Sequence, residues 1–157
     1  MIFVQKLLRI EQQRGLTPAE VMLARSVFGK QLQTDTVRLV ACRWVLRGYA
    51  ISPNGHVYFH PDDSREDFAQ ADLNIQSWLI HELVHVWQVQ QGMAVLRLAL
   101  FDRRYRYQLV LGKSFLSYGI EQQAQIVQDY FVRRMRGQNC TAWEVCLPFK
   151  INLIPSN

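Results

Sequence analysis

His81-Glu82-Leu83-Val84-His85 sets two imidazoles four residues apart, with a carboxylate directly after the first. On an α-helix that spacing puts both histidines on one face, a turn apart, with about 6 Å between their Cβ anchors. Both rings can then reach one zinc ion at roughly 2.0 to 2.1 Å from each nitrogen. Glu82 is displaced by about 100° around the axis, so its carboxylate stands beside the metal rather than on it, where a general base could reach a water. A plainer reading of the same residues is two half-buried histidines on an amphipathic helix with one solvated carboxylate. The flanks weigh against it. Trp78, Leu79 and Ile80 precede the pentad, and Leu83, Val84, Val86 and Trp87 lie within and after it, so the helix is apolar almost all round, as in a core. Unpartnered imidazoles and a carboxylate buried there would cost on the order of several kcal/mol.

The carrier is legible as a helix because Asn74 to Gln91 contains no Gly or Pro. A hydrolytic zinc site takes three protein ligands and leaves the fourth position for water. The third ligand must therefore come from another element. Glu121 to Phe131 is a second helix-patterned run, ending at Arg136-Gly137 with basic residues in the last turn and Gly as cap. Glu121 shares its stripe with Ala124, Val127 and Phe131 and so projects toward the core, which makes it the third-ligand candidate. A first-turn carboxylate stabilised by the helix dipole is the alternative. Between His85 and Glu121 there is room for the first helix to end, a loop and short strand to cross, and the second helix to return.

Other elements must support this pair. Thr17-Pro18-Ala19-Glu20 offers an N-cap, a Pro at N1 and a capping-box Glu, predicting a scaffold helix that stops at Phe28-Gly29. Thr36 to Val45 alternates like a strand, Pro53-Asn54-Gly55 reads as a turn, and His56 to His60 as a second short strand. Together they predict a small sheet before the catalytic helix. Val57 to Phe59 is the stretch whose backbone could hold an extended substrate. His56 and His60 would lie on one face of their strand, about 13 Å apart, too far to share one zinc, and read as solvent-exposed strand-end residues. Alternation of Tyr105 and Tyr107 with Arg104 and Arg106 predicts a strand near the site. Tyr105, Tyr107 and Tyr118 are phenols that could donate to an oxyanion or simply pack.

Several of these strings resemble one family. Gly15-Leu16-Thr17-Pro18-Ala19-Glu20, Leu23 to Gly29, Pro53 to Phe59, His81 to Gln88 and Glu121 to Phe131 are similar to the small Vgr-related proteins that accompany type VI secretion spike proteins of bacteria, and to the peptidase domain of contractile injection systems. The resemblance spans roughly residues 15 to 136. It implies a gluzincin: an α+β, zincin-like domain with an active-site helix, a second ligand helix and a small antiparallel sheet, and Zn2+ held by His81, His85 and Glu121. In many gluzincins an Asp four residues after the ligand Glu orients a ligand His. Here that position is Gln125, so Gln125 or Asp129 takes the role.

The chain of 157 residues, 49 % of them apolar, suits a single globular domain over 1–157. Its net charge is +5, with arginines clustered at Arg97, Arg103, Arg104 and Arg106 and at Arg133, Arg134 and Arg136. Such clusters can steer an anionic partner or form a solvated helix end and a basic loop; no aromatic-interleaved nucleic-acid motif accompanies them, so no nucleic-acid partner is expected. Cys42, Cys140 and Cys146 show no metal-binding spacing and no disulfide framework, which leaves buried thiols or one Cys140–Cys146 bridge. Met1 to Leu8 is too short and too soon followed by charge for a signal peptide or a membrane span, so cytoplasmic synthesis is expected, with any export by a dedicated secretion machine. The expectation is a zinc-dependent peptidase, with Glu82 as base, acting on a peptide or protein in association with a secretion spike as effector or accessory. The alternative is a non-catalytic adaptor with a structural or vestigial zinc site.

Overall fold

Thr17 starts the first helix as its neighbours require: its side chain accepts from the Glu20 amide, and Glu20 accepts from the Thr17 amide in return. In the computed structural model, which describes residues 10–95 and 104–149, this helix, α1, spans Pro18–Phe28 and ends on Gly29 at φ 57°. Glu20 is fully buried, yet it also takes both arms of the Arg14 guanidinium and the Phe68 amide. Burial works against its charge, but Arg14 and the two amides hold its carboxyl below the usual range. One carboxylate thereby ties the end of strand β1 (Ile10–Arg14), the start of α1 and the approach to the next long helix.

That next helix, α2, is Leu73–Gln90, capped by Asp72, which accepts from the Asn74 and Ile75 amides. Every residue from Leu79 to Gln88 is buried, as its near-uniform apolarity requires. Against it lie helix α3 (Ile120–Met135) and the sheet formed by β1, β2 (Leu39–Cys42), β3 (Ala50–Ile51) and β4 (Val57–Phe59). A short helix α4 (Thr141–Cys146) closes on α3, with the Arg133 guanidinium 4.3 Å from the Trp143 ring. Ile80, Leu83, Val84, Ile126, Val127 and Tyr130 fill the space between the two long helices and the rest of the core.

The sheet departs from the antiparallel expectation. Its order is β1-β2-β4-β3, with β1–β2 and β3–β4 antiparallel but β2–β4 parallel. After β2 the chain swings out through residues 43–49, forms β3 at the far edge, and turns back at Pro53-Asn54-Gly55, with Gly55 at φ 85°, so that β4 enters between β2 and β3. β2 is also shorter than Thr36 to Val45, and all four of its residues are buried, so its alternation separates no wet face from a dry one. Nor does the Tyr105–Tyr107 segment make a strand. Its backbone is taken instead by side chains: Arg106 C=O accepts from Gln122, Gln108 C=O from the Tyr118 hydroxyl, and that hydroxyl accepts from the Val110 amide.

Arg97, Arg103 and Met1 to Leu8 lie outside the described residues. Cys42, Cys140 and Cys146 are free thiols. Among the described residues no helix is long and apolar enough to cross a membrane.

Candidate metal centre

α2 and α3 cross so that the predicted ligands meet. Glu121 Oε2 lies 3.3 Å from His81 Nε2 and 3.2 Å from His85 Nε2. Ligand atoms bound to one tetrahedral zinc at the usual bond lengths are about 3.3 Å apart, so these separations match two edges of such a polyhedron. The three side chains are between 6 % and 12 % exposed, and together they are a group able to hold a metal ion. Burial disfavours charge on His85, but the Glu121 hydrogen bond and the charges of Glu82 and Glu121 outweigh it and raise the imidazole to about 9. Burial likewise opposes ionisation of Glu121, and the two histidines overcome it, bringing the carboxyl down to about 2. A neighbourhood this favourable to positive charge suits a cation.

Each imidazole is held from behind. His81 Nδ1 is 3.0 Å from Gln128 Oε1, and His85 Nδ1 is 2.8 Å from Gln88 Oε1. This corrects the expectation for Gln125 and Asp129. Gln125 donates to Asp129 at 2.8 Å, and Asp129 accepts from the Tyr107 hydroxyl at 2.6 Å, both turned toward residues 104–110 and α4. At about 100° per residue an offset of seven comes back to within about 20° of Glu121, on the side that meets His81, whereas offsets of four and eight turn about 40° and 80° the other way, toward residues 104–110. Gln88, one turn after His85, was equally available to that argument.

Glu82 is 6 % exposed, and its Oε2 accepts from Ser52 Oγ at 2.8 Å. Ser52 directly follows β3, so the sheet edge and α2 together set the carboxylate. A cavity of about 120 Å³ lies there, lined by His81, Glu82, His85 and Glu121 together with Ile51, Ser52 and Tyr105.

No protein-family model matches the chain. The type VI secretion system spike protein VgrG2b of Pseudomonas aeruginosa is 37 % identical over 136 residues, an alignment covering 79 % of this chain but 13 % of that protein. The solved effector domain of P. aeruginosa VgrG2b superposes with a TM-score of 0.75 at 36 % identity, covering 90 % of this chain and 87 % of that one. The chain belongs to the VgrG2b effector-domain family. It spans about an eighth of the length of the spike protein and 87 % of the solved effector domain.

In this VgrG2b-like domain the remaining predicted residues separate cleanly. Val57–Phe59, as β4, is interior, so it cannot present a free edge; β1 and β3 are the edge strands, and it is β3 that borders the cavity. His60 is 8 % exposed rather than solvated, because its Nδ1 caps the following turn by accepting from the Asp62 amide. His56 is half-buried, its Nδ1 without a hydrogen-bond partner, and neither histidine joins the ligand group. Of the three tyrosines, Tyr118 is committed to residues 108 and 110, and Tyr107 to Asp129 and Trp143. Burial and Asp129 push the Tyr107 phenol well above its ordinary pKa. Tyr105 alone of these lines the cavity, its ring stacked against His81 at 6.1 Å between centroids.

Proposed function

We propose that this VgrG2b effector-domain homologue is a zinc-dependent metallohydrolase, a peptidase, forming one domain and delivered in association with a type VI secretion spike. The observation that carries the reading is the meeting of His81 Nε2, His85 Nε2 and Glu121 Oε2 beside a buried Glu82 and a cavity. Two nitrogens and one carboxylate oxygen are the donor set of a hydrolytic zinc site. When bound, zinc supplies Lewis acidity, polarising a scissile carbonyl and lowering the pKa of water to about 7. Glu82 takes the proton from the attacking water and delivers it to the leaving amine, while Ser52 holds the carboxylate in place. The outer side of β3 offers backbone groups to an extended peptide, in the position first assigned to β4. The cavity next to the ligands favours an enzyme over an adaptor with a closed structural site.

Metal analysis of the purified protein and of His81→Ala tests the site: about one zinc per chain in the first and loss of it in the second are expected. Peptide cleavage by wild type and Glu82→Gln tests the chemistry. A wild-type chain that purifies and reconstitutes without zinc defeats the reading.

A further inference from the structure

The direction of every hydrogen bond behind the two histidines can be deduced, because each run of bonds begins at a backbone carbonyl, which only accepts. Behind His81, the Asn74 carbonyl accepts from Ser77 Oγ at 2.9 Å, which uses the only hydroxyl proton of Ser77. Ser77 Oγ must therefore accept from its other neighbour, Gln128 at 3.2 Å, so the amide nitrogen of Gln128 faces Ser77 and its oxygen faces His81. An amide oxygen has no proton to give. His81 Nδ1 is thus the donor, and Nε2 is the nitrogen that faces Glu121. Behind His85, the Ile120 carbonyl accepts from Gln88 Nε2 at 3.0 Å, and the same nitrogen donates to Gln123 Oε1 at 2.9 Å. Gln123 is in turn oriented by donating to the Tyr118 carbonyl at 2.8 Å. Gln88 Oε1 then accepts from His85 Nδ1, and Nε2 again faces Glu121. Gln88 and Gln123 are essentially inaccessible, at 0 % and 2 % exposure, so water does not compete for these bonds.

We infer that Gln88 and Gln128 are positioning residues that keep the Nδ1 proton on both histidines, so that Nε2 is the nitrogen each ring offers to one metal ion. The inference rests on the metal-site reading above. Both amides are neutral, so neither imidazole receives the added basicity that a carboxylate hydrogen-bonded to its Nδ1 would give. The donor set is thereby preorganised without raising the electron donation that would blunt the acidity of the bound metal. Both chains of bonds run between α2 and the α3 region, so the contact that assembles the ligands also fixes their tautomers.

The test is zinc(II) affinity by competition with a chromophoric chelator on the full chain, with thermal unfolding of each metal-free variant in parallel. Loss of such an outer partner typically weakens metal binding by about 10- to 100-fold, and Gln128→Leu is expected to fall in that range with unfolding little changed. Gln128→Glu restores an acceptor for Nδ1, to which Ser77 can turn its hydroxyl, and is expected to bind at least as tightly as wild type. Nitrogen-15 NMR of the zinc-loaded wild type should show protonated Nδ1 and metal-bound Nε2 on both rings. Gln88→Met, close in shape, probes the second chain; if it does not fold, the Gln128 pair decides. Wild-type affinity in Gln128→Leu, equal weakness in Gln128→Glu, or coordination through Nδ1 overturns the inference while leaving a metal site standing. A wild-type chain with no zinc affinity overturns both.

Discussion

Ser52 Oγ donates to Glu82 Oε2 at 2.8 Å, joining the residue after edge strand β3 to the carboxylate between the two histidines proposed as ligands. Both groups are buried, so the bond sets where that carboxylate points. Glu82→Gln keeps the shape and removes the base; it should retain zinc and lose about 10²- to 10⁴-fold in turnover. Ser52→Ala removes one hydrogen bond, worth about 1.4 kcal/mol, and should lower kcat about tenfold with KM little altered. Steady-state kinetics on any cleaved peptide checks both, and a Glu82→Gln enzyme as fast as wild type removes Glu82 from the mechanism.

Stability of the metal-free protein should follow the Glu121–His85 pair. His85 is raised from 6.5 to about 9, so its contribution is fully present below pH 6.5 and is lost as pH rises through about 9. Glu121 is lowered from 4.5 to about 2, so its contribution is present above pH 4.5 and is lost as pH falls toward 2. Melting of chelator-treated protein should therefore be highest between these limits, near pH 4.5 to 6.5, and decline on both sides. Glu121→Gln should flatten that profile.

Zinc binding reads the same pair from the other direction. The ion must displace the proton that His85 holds up to about pH 9. Apparent affinity should rise with pH, by up to about tenfold per unit, and level off near pH 9. Titration calorimetry in buffers of different ionisation enthalpy measures the released proton, and a pH-independent affinity contradicts the assignment of His85 as a ligand.

Tyr105 and Tyr107 should behave differently although two residues apart. Tyr107→Phe removes the bonds to Asp129 and Trp143 and should lower stability by about 1 to 2 kcal/mol without changing zinc affinity. Tyr105→Phe should leave stability nearly unchanged, because its ring is half exposed, and reduce kcat if its phenol meets the developing oxyanion. Urea unfolding and kinetics on the two variants separate them.

Glu20→Ala should be among the more destabilising single changes, by about 3 to 5 kcal/mol, since it leaves the Arg14 guanidinium and the Thr17 and Phe68 amides without their acceptor. The proposed metal site lies on other elements, so zinc stoichiometry of the folded fraction should not change. Urea unfolding with metal analysis checks both.

What can be read from the chain alone is what local periodicity controls. A spacing of four on a helix places His81 and His85 on one face whatever surrounds them, and the Thr17–Glu20 box starts α1 from its own backbone geometry. Glu121 was legible because a carboxylate on an apolar stripe of α3 must meet something in the core. Which strand forms the edge, what sits behind each imidazole and what holds Glu82 depend on register and helix crossing, which residue types do not encode locally. β4 and β3 are both short apolar runs, and only the crossover between β2 and β4 made β3 the edge. Gln88 lies one turn from His85 on its own helix, but Gln125 and Gln128 carry the same amide on α3, and only the packing of α2 on α3 decided which of those two would face a histidine. An amide is uncharged and can serve as donor or acceptor at either end, so its role is set by its neighbours, and those neighbours are assembled by the tertiary fold.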